Sequence, residues 1–212
     1  MPARKSTCVK PTAFILDVDG VMTDGKFYYT AGGKWMKVFG ADDHDALCLL
    51  KPHLQIMFVT GDHRGFEISK KRIAEDMKMP IELVSTTQRI AWIRERFDPA
   101  NVVYMGDGIF DHYVMQEVGY AIAPGNADPN AKKSAHYICT RAGGERAVAE
   151  ASLHLLETFF IPYDPAQPLP DGKFSGTGGR KTSSHRRGAC AAGNQAIGPG
   201  CDESGDGNGK KS

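Results

Sequence analysis

The fold is decided by residues 14–25, which read FILDVDGVMTDG. An apolar run over 13–16, continued at Val18, predicts a buried strand with Asp17 and Asp19 at its end. Side chains two apart on a strand point the same way, so these two carboxylates share one opening. Two like charges this close are costly unless a divalent cation or a shared proton relieves them. We therefore expect a functional site at this strand end.

The composition excludes several classes of function. The 212 residues carry 26 basic and 25 acidic side chains, so overall charge favours neither a nucleic acid nor an anionic membrane as partner. No apolar run approaches the roughly 18 residues of a membrane span, and the basic N-terminus lacks the apolar core of a signal peptide. The 5 cysteines show no metal-site spacing, and we expect Cys48 and Cys139 to be reduced. These features favour a cytoplasmic protein.

The domain boundaries are predicted from changes in composition. Four prolines fall within 161–172, and the residues after them are rich in glycine and poor in large apolar side chains. Such a segment cannot bury enough apolar surface to offset the entropy lost on ordering. We expect a flexible N-terminus over 1–10, one folded domain over 11–160, and a disordered tail over 161–212.

Within the folded part, strand and helix patterns alternate with short connections. After the first strand come a predicted β-hairpin (26–30 and 34–39), further strands at 54–60, 81–84, 101–105, 120–123 and 136–139, and helices at 43–51, 63–79, 88–97, 110–118 and 145–159. The strand at 54–60 is almost continuously apolar, as expected for a strand covered on both faces. The pattern predicts an α/β fold, a three-layer Rossmann-like parallel sheet with helices on both faces.

Polar residues that suit phosphate chemistry follow three of the predicted strands. Asp17 and Asp19 end the first, Thr60 and Gly61 the second, and Asp107 follows the third. If these strands are neighbours, the residues converge on one opening at the carboxyl edge of the sheet. Oxygen ligands with no histidine or cysteine at ligand spacing suit Mg²⁺ rather than zinc. A carboxylate beside Mg²⁺ can attack phosphorus and form an aspartyl-phosphate.

These motifs, in this order, resemble those of the haloacid dehalogenase superfamily over nearly all of 12–160. The resemblance rests on DVDGV at 17–21, on Thr60-Gly61, and on Gly106-Asp107 with Asp111 four residues later. It implies Asp17 as the nucleophile, Asp19 as the general acid, and Thr60 and Gly61 as phosphate-binding residues. It also implies Mg²⁺ held by Asp17, the Asp19 main-chain carbonyl and Asp107.

Finer features resemble the capless branch that contains the 3-deoxy-D-manno-octulosonate 8-phosphate phosphatases and their sialic-acid-type relatives. They are LDVDGVMTDG at 16–25 and TRAGGERAVAE at 140–150. This resemblance implies a small phosphorylated sugar acid as substrate, a place in lipopolysaccharide biosynthesis, and no cap domain. It further implies a homotetramer packed through the 26–39 hairpin. Arg141 and Arg146 are candidate contacts for the phosphate or carboxylate of the substrate.

The chain departs from the superfamily pattern at several positions. Where the third motif has a lysine, Arg89 is the candidate replacement because an apolar residue follows it. Arginine keeps the charge but is bulkier and does not lose its proton, so the two are not equivalent. The segment 40–46 holds three acids and a histidine, which would repel a sugar carboxylate. Asp62 follows Gly61 where relatives carry arginine or glutamate, and Gly108 replaces one acid of the fourth motif.

Three readings of function stay open on the sequence. The first is a Mg²⁺-dependent phosphomonoesterase for a small phosphorylated sugar or sugar acid. The second is a non-catalytic assembly module related to sugar-nucleotide biosynthesis, which the missing lysine favours and the retained acids oppose. The third is a phosphatase for another small phosphate ester, such as a nucleotide or a phosphonate intermediate, which the altered 40–46 and 62–64 segments favour.

Overall fold

The computed structural model describes residues 10–167, and its centre is a six-stranded parallel sheet. The strands are β1 (Ala13–Asp17), β4 (Gln55–Thr60), β5 (Ile81–Leu83), β6 (Val102–Met105), β7 (Tyr120–Ala123) and β8 (Tyr137–Ile138). Their order across the sheet is β5-β4-β1-β6-β7-β8, and every pair is parallel. The strand that carries the two aspartates therefore lies in the middle, with β4 and β6 beside it.

Six α-helices lie along the described chain. They are α1 (Asp43–Leu50), α2 (Phe66–Lys70), α3 (Arg89–Arg96), α4 (Asp111–Glu117), α5 (Pro129–Ser134) and α6 (Ala147–Phe159). None of the helices in this part of the chain is long and apolar enough to cross a membrane.

The side chains of β1 alternate between two hydrophobic cores. Phe14 and Leu16 belong to the core that contains the buried residues of α1 and α6, whereas Ala13 and Ile15 belong to the core on the other face. That second core contains the buried residues of α3, α4 and α5. Alternation along a strand places successive side chains on opposite faces. The predicted three-layer arrangement, with helices on both faces of a parallel sheet, is thus confirmed.

The predicted β-hairpin forms a separate two-stranded antiparallel sheet. It consists of β2 (Tyr28–Thr30) and β3 (Gly33–Met36), and both strands are shorter than expected. Beyond these two strands, the flanking segments are joined by an isolated antiparallel bridge between Thr23 and Phe39. Along the chain, β2 and β3 are the elements between β1 and α1, in agreement with the prediction that no cap domain is inserted there.

Two helical segments differ from the sequence predictions. The single helix expected over 63–79 begins at Phe66 and continues from Lys71 to Asp76 as a π-helical segment. The apolar spacing of Ile73 and Met77 suits either helix type, so the pattern could not distinguish them. Helix α5 was missed because it is short and mostly polar. Its signal was Asp128, which accepts the Asn130 N–H, followed by proline at the first helical position.

The two segments predicted to flank the domain, 1–10 and 161–212, lie largely outside the described residues. The expected flexible N-terminus is described only at Lys10, and the expected tail only over 161–167, which is exposed and forms no helix or strand. Both predicted core cysteines are free thiols, Cys139 buried and Cys48 half-buried.

Asp43 joins the start of α1 to the start of α6. The residue is fully buried, and its Oδ1 accepts the main-chain N–H of Ala149 at 2.9 Å. Its Oδ2 is buried without a hydrogen-bond partner among the residues described. Burial raises the pKa of the Asp43 carboxyl to about 6. Asp42, beside it, forms an ion pair with Arg146 at 2.8 Å. The expectation that these acids would repel a sugar carboxylate is therefore wrong for Asp43, which is enclosed between two helices.

Replacing Asp43 with asparagine is expected to flatten the pH dependence of stability. The folded-state pKa of about 6 lies above the ordinary value of 3.8, so this group stabilises the fold fully below the lower value. That contribution is lost as pH rises through the higher value. Asparagine keeps the acceptor for Ala149 and does not ionise. Urea unfolding from about pH 4 to about pH 7 should show a smaller fall in unfolding free energy for Asp43→Asn than for wild type. Parallel curves would contradict this account.

Candidate active site

The carboxyl ends of β4, β1 and β6 converge at one edge of the sheet, as the sequence predicts for neighbouring strands. Asp17 is the last residue of β1, Thr60 is the last residue of β4, and Asp107 lies two residues beyond β6. A cavity of about 360 Å³ opens at this edge. It is lined by Asp17, Asp19, Gly61, Asp62, Ser85, Thr86, Thr87, Arg89 and Phe110.

Arg89 forms a bidentate ion pair with Asp17. Its Nη1 lies 2.7 Å from Oδ2 of Asp17, and its Nη2 lies 2.9 Å from Oδ1. The main-chain N–H of Val18 also donates to Oδ1, at 2.7 Å. Burial raises the pKa of Asp17 to about 6, an effect that the Arg89 guanidinium opposes and the nearby Asp111 carboxylate reinforces. The candidate replacement for the superfamily lysine thus reaches the residue that the resemblance makes the nucleophile.

Arg89 is itself buried, and two further residues contact its guanidinium: Asp111, which compensates its charge, and Tyr104, which accepts a hydrogen bond. It is 2% exposed, and its Nη1 lies 3.0 Å from Oδ1 of Asp111 and donates to the Tyr104 hydroxyl at 2.7 Å. The same hydroxyl donates to Oδ1 of Asp111 at 2.6 Å. Burial raises the pKa of Tyr104 well above its ordinary value, so the phenol stays protonated and keeps this hydrogen bond. Sequence reasoning missed Tyr104; the signal was one polar group in an otherwise apolar strand.

Asp19 is fixed at both of its carboxylate oxygens. Thr60 Oγ1 donates to Oδ2 at 3.1 Å, and Nζ of Lys37 lies 2.7 Å from Oδ1. Thr60 is fully buried and also accepts the N–H of Asp62 at 3.1 Å. Thr60 therefore supports Asp19 from beneath, and of the two predicted phosphate-binding residues on β4 and its loop only Gly61 lines the cavity.

Two lysines from the hairpin form a second charged cluster next to the cavity. Lys37 has a fully buried side chain, and its Nζ lies 2.8 Å from Oδ2 of Asp62 and donates to Ser69 Oγ at 2.9 Å. Lys34 lies 2.5 Å from the same Asp62 oxygen and over the ring of Phe27. Neither lysine was expected from the sequence. The only feature of the sequence that could have indicated this cluster is the spacing of the two lysines, three residues apart at the end of the hairpin.

Three carboxylates come close enough to hold one cation. One oxygen each of Asp17, Asp107 and Asp111 lies within 4.8 Å of the other two. Within residues 10–167 the Asp107 carboxylate has no hydrogen bond or ion pair, and burial together with the charges of Asp17 and Asp111 raises its pKa to about 8. An oxygen-only donor set in which the half-buried Asp107 carboxylate lacks an opposite charge fits a hard divalent cation. Asp111 was expected only as part of a motif, not as a ligand.

Gly20 allows the Asp19 segment to approach Asp107. Its φ angle is +86°, and a Cβ at this position would collide with the Asp107 carboxylate. Only glycine adopts this backbone conformation without strain and leaves room for that carboxylate. The Gly after DVD is thus needed to bring the first and fourth motifs together.

Arg141 and Arg146 are placed differently from the other predicted site residues. Arg146 pairs with Asp42, and Arg141 is exposed with its main-chain N–H on Glu150 Oε2 at 3.0 Å. Neither is among the residues that line the cavity. Within this one chain, the structure does not bring these two arginines together with Asp17.

Comparisons with known proteins agree with this geometry. A family model of haloacid dehalogenase-like hydrolases matches residues 54–151. The 3-deoxy-D-manno-octulosonate 8-phosphate phosphatase of Salmonella typhi is 32% identical over 146 residues, which cover 64% of this chain and 74% of that protein. The chain belongs to the haloacid dehalogenase-like hydrolases. Its relatives make it a phosphatase, a phosphoric monoester hydrolase, which confirms the predicted enzyme class.

Solved structures of haloacid dehalogenase-like phosphatases share the fold. The 3-deoxy-D-manno-octulosonate 8-phosphate phosphatase of Yersinia pestis matches with a TM-score of 0.61 at 27% identity, over 71% of this chain and 83% of that one. The 3-deoxy-D-manno-octulosonate 8-phosphate phosphatase of Moraxella catarrhalis, solved in complex with a magnesium ion, a phosphate ion and a KDO molecule, matches with a TM-score of 0.62 at 23% identity. That match covers 72% of this chain and 90% of the other. The predicted likeness to the capless branch is confirmed.

Replacing Arg89 with methionine is expected to destabilise the fold strongly. The change leaves Asp17 and Asp111 buried without their cation, and breaking such a pair costs about 3 kcal/mol or more. Arg94→Met is the matched control on the same helix, because Arg94 forms an exposed ion pair with Glu117 worth less than about 1 kcal/mol. Urea unfolding of both variants gives the comparison. Equal losses would show that the buried network contributes nothing special.

Proposed function

We propose that this chain is a Mg²⁺-dependent phosphomonoesterase that acts through an aspartyl-phosphate on a small phosphorylated sugar acid. The observation that carries the proposal is that Asp17 and Asp19 line one cavity while the Asp107 and Asp111 carboxylates lie close to that of Asp17. The relatives at 32% identity, which are phosphatases of 3-deoxy-D-manno-octulosonate 8-phosphate, support the substrate class. This would place the reaction in lipopolysaccharide biosynthesis and in the cytoplasm.

The acidic cluster supplies the proposed metal site. Asp17, Asp107 and Asp111 would hold the ion with their carboxylates, and Asp19 with its main-chain carbonyl. Bound Mg²⁺ would neutralise charge on the phosphate oxygens and on the cluster itself. Asp107 contributes most to the fit, since its carboxylate is the member of the cluster with no hydrogen bond or ion pair among the residues described.

The two aspartates of the first motif would divide the chemistry. Asp17 attacks phosphorus with one carboxylate oxygen, the bond from phosphorus to the ester oxygen breaks, and Asp19 gives its proton to the leaving alkoxide. Asp19 then takes a proton from a water molecule that attacks the aspartyl-phosphate, which releases phosphate and restores Asp17. Arg89 orients Asp17 and offsets the negative charge that collects around the phosphate. The Gly61 main chain lies at the cavity wall, where it would approach the phosphate oxygens.

The sugar would bind among the hydroxyl groups of the cavity wall. Ser85, Thr86 and Thr87 line the cavity on the side of Arg89. Arg141 and Arg146 lie away from it within one chain, so their proposed contact with a substrate carboxylate requires a neighbouring subunit. We include such a neighbour in the proposal, as a homotetramer packed through the 26–39 hairpin. Supporting it are four exposed aromatic side chains of that hairpin, Phe27, Tyr28, Tyr29 and Trp35.

A second candidate is the non-catalytic assembly module. The exposed aromatic face of the hairpin favours assembly, and Arg89 stands where active relatives carry lysine. The preserved cavity and acidic cluster favour catalysis instead. A phosphatase of another small phosphate ester remains the third candidate, favoured by Asp62 in place of the usual arginine or glutamate.

Phosphate release decides among these candidates. Purified protein should release phosphate from sugar-acid monophosphates with Mg²⁺, lose the activity in EDTA, and lose at least about 100-fold in kcat when Asp17 becomes asparagine. Asp76→Asn, a change at an exposed acid away from the cavity, is the control and should leave turnover intact. The Asp17 variant must be checked for folding, because that residue compensates Arg89. A folded wild-type oligomer inactive on sugar, sugar-acid and nucleotide monophosphates alike would favour the assembly module.

Mg²⁺ should stabilise the fold through Asp107. The folded-state pKa of about 8 exceeds the ordinary value of 3.8, so in metal-free protein this group's stabilising contribution is lost as pH rises through about 8. Metal-free Asp107→Asn should therefore have a higher melting temperature than wild type near pH 9. Adding Mg²⁺ should raise the melting temperature of wild type and of Asp76→Asn, but hardly that of Asp107→Asn. An equal Mg²⁺ effect on all three proteins would refute the proposed metal site.

A further inference from the structure

Lys37 is placed where it can control the orientation of Asp19. It follows the hairpin strand β3, yet its side chain is wholly buried, with Nζ 2.7 Å from Oδ1 of Asp19. Three oxygens lie within 2.9 Å of its Nζ: Lys37 donates a hydrogen bond to Ser69 Oγ and forms ion pairs with Asp19 and Asp62. We propose that Lys37 is a positioning residue that fixes the Asp19 carboxylate for proton transfer to the leaving group. The inference rests on the proposed phosphatase function.

The charges around Lys37 account for its burial. Taking an ammonium out of water costs several kcal/mol unless opposite charges lie beside it. Asp19 and Asp62 supply two negative charges, while Lys37 and Lys34 supply two positive ones. Asp62 is held further by the Gly65 N–H, which donates to its Oδ1 at 3.1 Å. With Asp19 ionised the cluster is balanced, and Lys37 cannot then leave Asp19 without exposing an unpaired charge to the protein interior.

Contacts at both oxygens leave the Asp19 carboxylate one orientation. Oδ1 is buried and forms an ion pair with Lys37, whereas Oδ2 accepts a hydrogen bond from the Thr60 hydroxyl. Because Lys37 occupies the side of Oδ1, the proton that Asp19 gives to the leaving group is the one carried on Oδ2. During ester cleavage that proton goes to the alkoxide oxygen as its bond to phosphorus breaks. A carboxylate free to rotate would present Oδ2 to this oxygen only part of the time.

Dependence on the leaving group tests this role. p-Nitrophenyl phosphate has a leaving group that needs little protonation, whereas an alkyl or sugar phosphate needs a proton from Asp19. Removing Lys37 should therefore lower kcat/KM for the alkyl ester more than for the aryl ester, by at least about 10-fold in their ratio. A merely structural loss would lower both rates together and leave the ratio unchanged.

The variants are Lys37→Met and, as the matched control, Lys34→Met. Lys34 contacts Asp62 from the same hairpin but makes no ion pair with Asp19, so its loss should not change the ratio. In an Asp19→Asn background, Lys37→Met should produce no further change, because its effect passes through Asp19. If Lys37→Met fails to fold, Lys37→Gln removes the charge with a milder change and is subject to the same criterion.

The outcomes separate this inference from the function on which it rests. Wild-type turnover with a ratio that falls in the Lys37 variant and not in the Lys34 variant supports the positioning role. Wild-type turnover with an unchanged ratio overturns the positioning role and leaves the phosphatase standing. Absence of turnover by wild type on both ester classes overturns the proposed function, and the role of Lys37 with it.

Discussion

The ion pair between Arg89 and Asp17 is the constraint on which the rest of the site depends. A guanidinium that is 2% exposed needs partners in the protein interior; here Asp17 and Asp111 compensate its charge and Tyr104 accepts a hydrogen bond from it, each on a different element. Those elements are the ends of β1 and β6 and the start of α4. Fixing Arg89 at the start of α3 therefore sets the spacing between the central strands and the helices that follow them. The geometry of the acidic cluster follows from that spacing.

A second charged cluster holds Asp19, the other aspartate of the DVD motif. Lys34 and Lys37 come from the hairpin, whereas Asp62 follows β4, so the ion pairs join a small outer sheet to the central one. In Lys37→Met, Asp19 would keep only its contact with Thr60. The two clusters together explain why both aspartates of the DVD motif are held rigidly, each by a cation from a different part of the chain.

The sequence was sufficient for the central strands because each is a short, almost continuous apolar run, and their polar ends follow directly. Arg89 could be selected by its position before Ile90, and its contact with Asp17 agrees with that choice. The partners of Lys37 and Tyr104 could not be predicted, since they come from residues distant in sequence whose proximity only packing decides. The same holds for Asp43, which is buried against α6 and therefore does not face a substrate as the sequence had suggested. Arg146 matched a motif, but its pairing with Asp42 depends on the local backbone.

Because Arg89 is buried, the fold needs Asp17 as its partner, so the presence of Asp17 is not by itself evidence of catalysis. A chain that had lost its chemistry could not replace Asp17 alone without leaving part of the guanidinium charge uncompensated in the interior. Selection for folding would then preserve Asp17 even where selection for turnover had ended. Asp107 has no such structural partner within residues 10–167, and its burial is unfavourable without a cation. In related chains, retention of the acid at this position is therefore better evidence of activity than retention of the first aspartate.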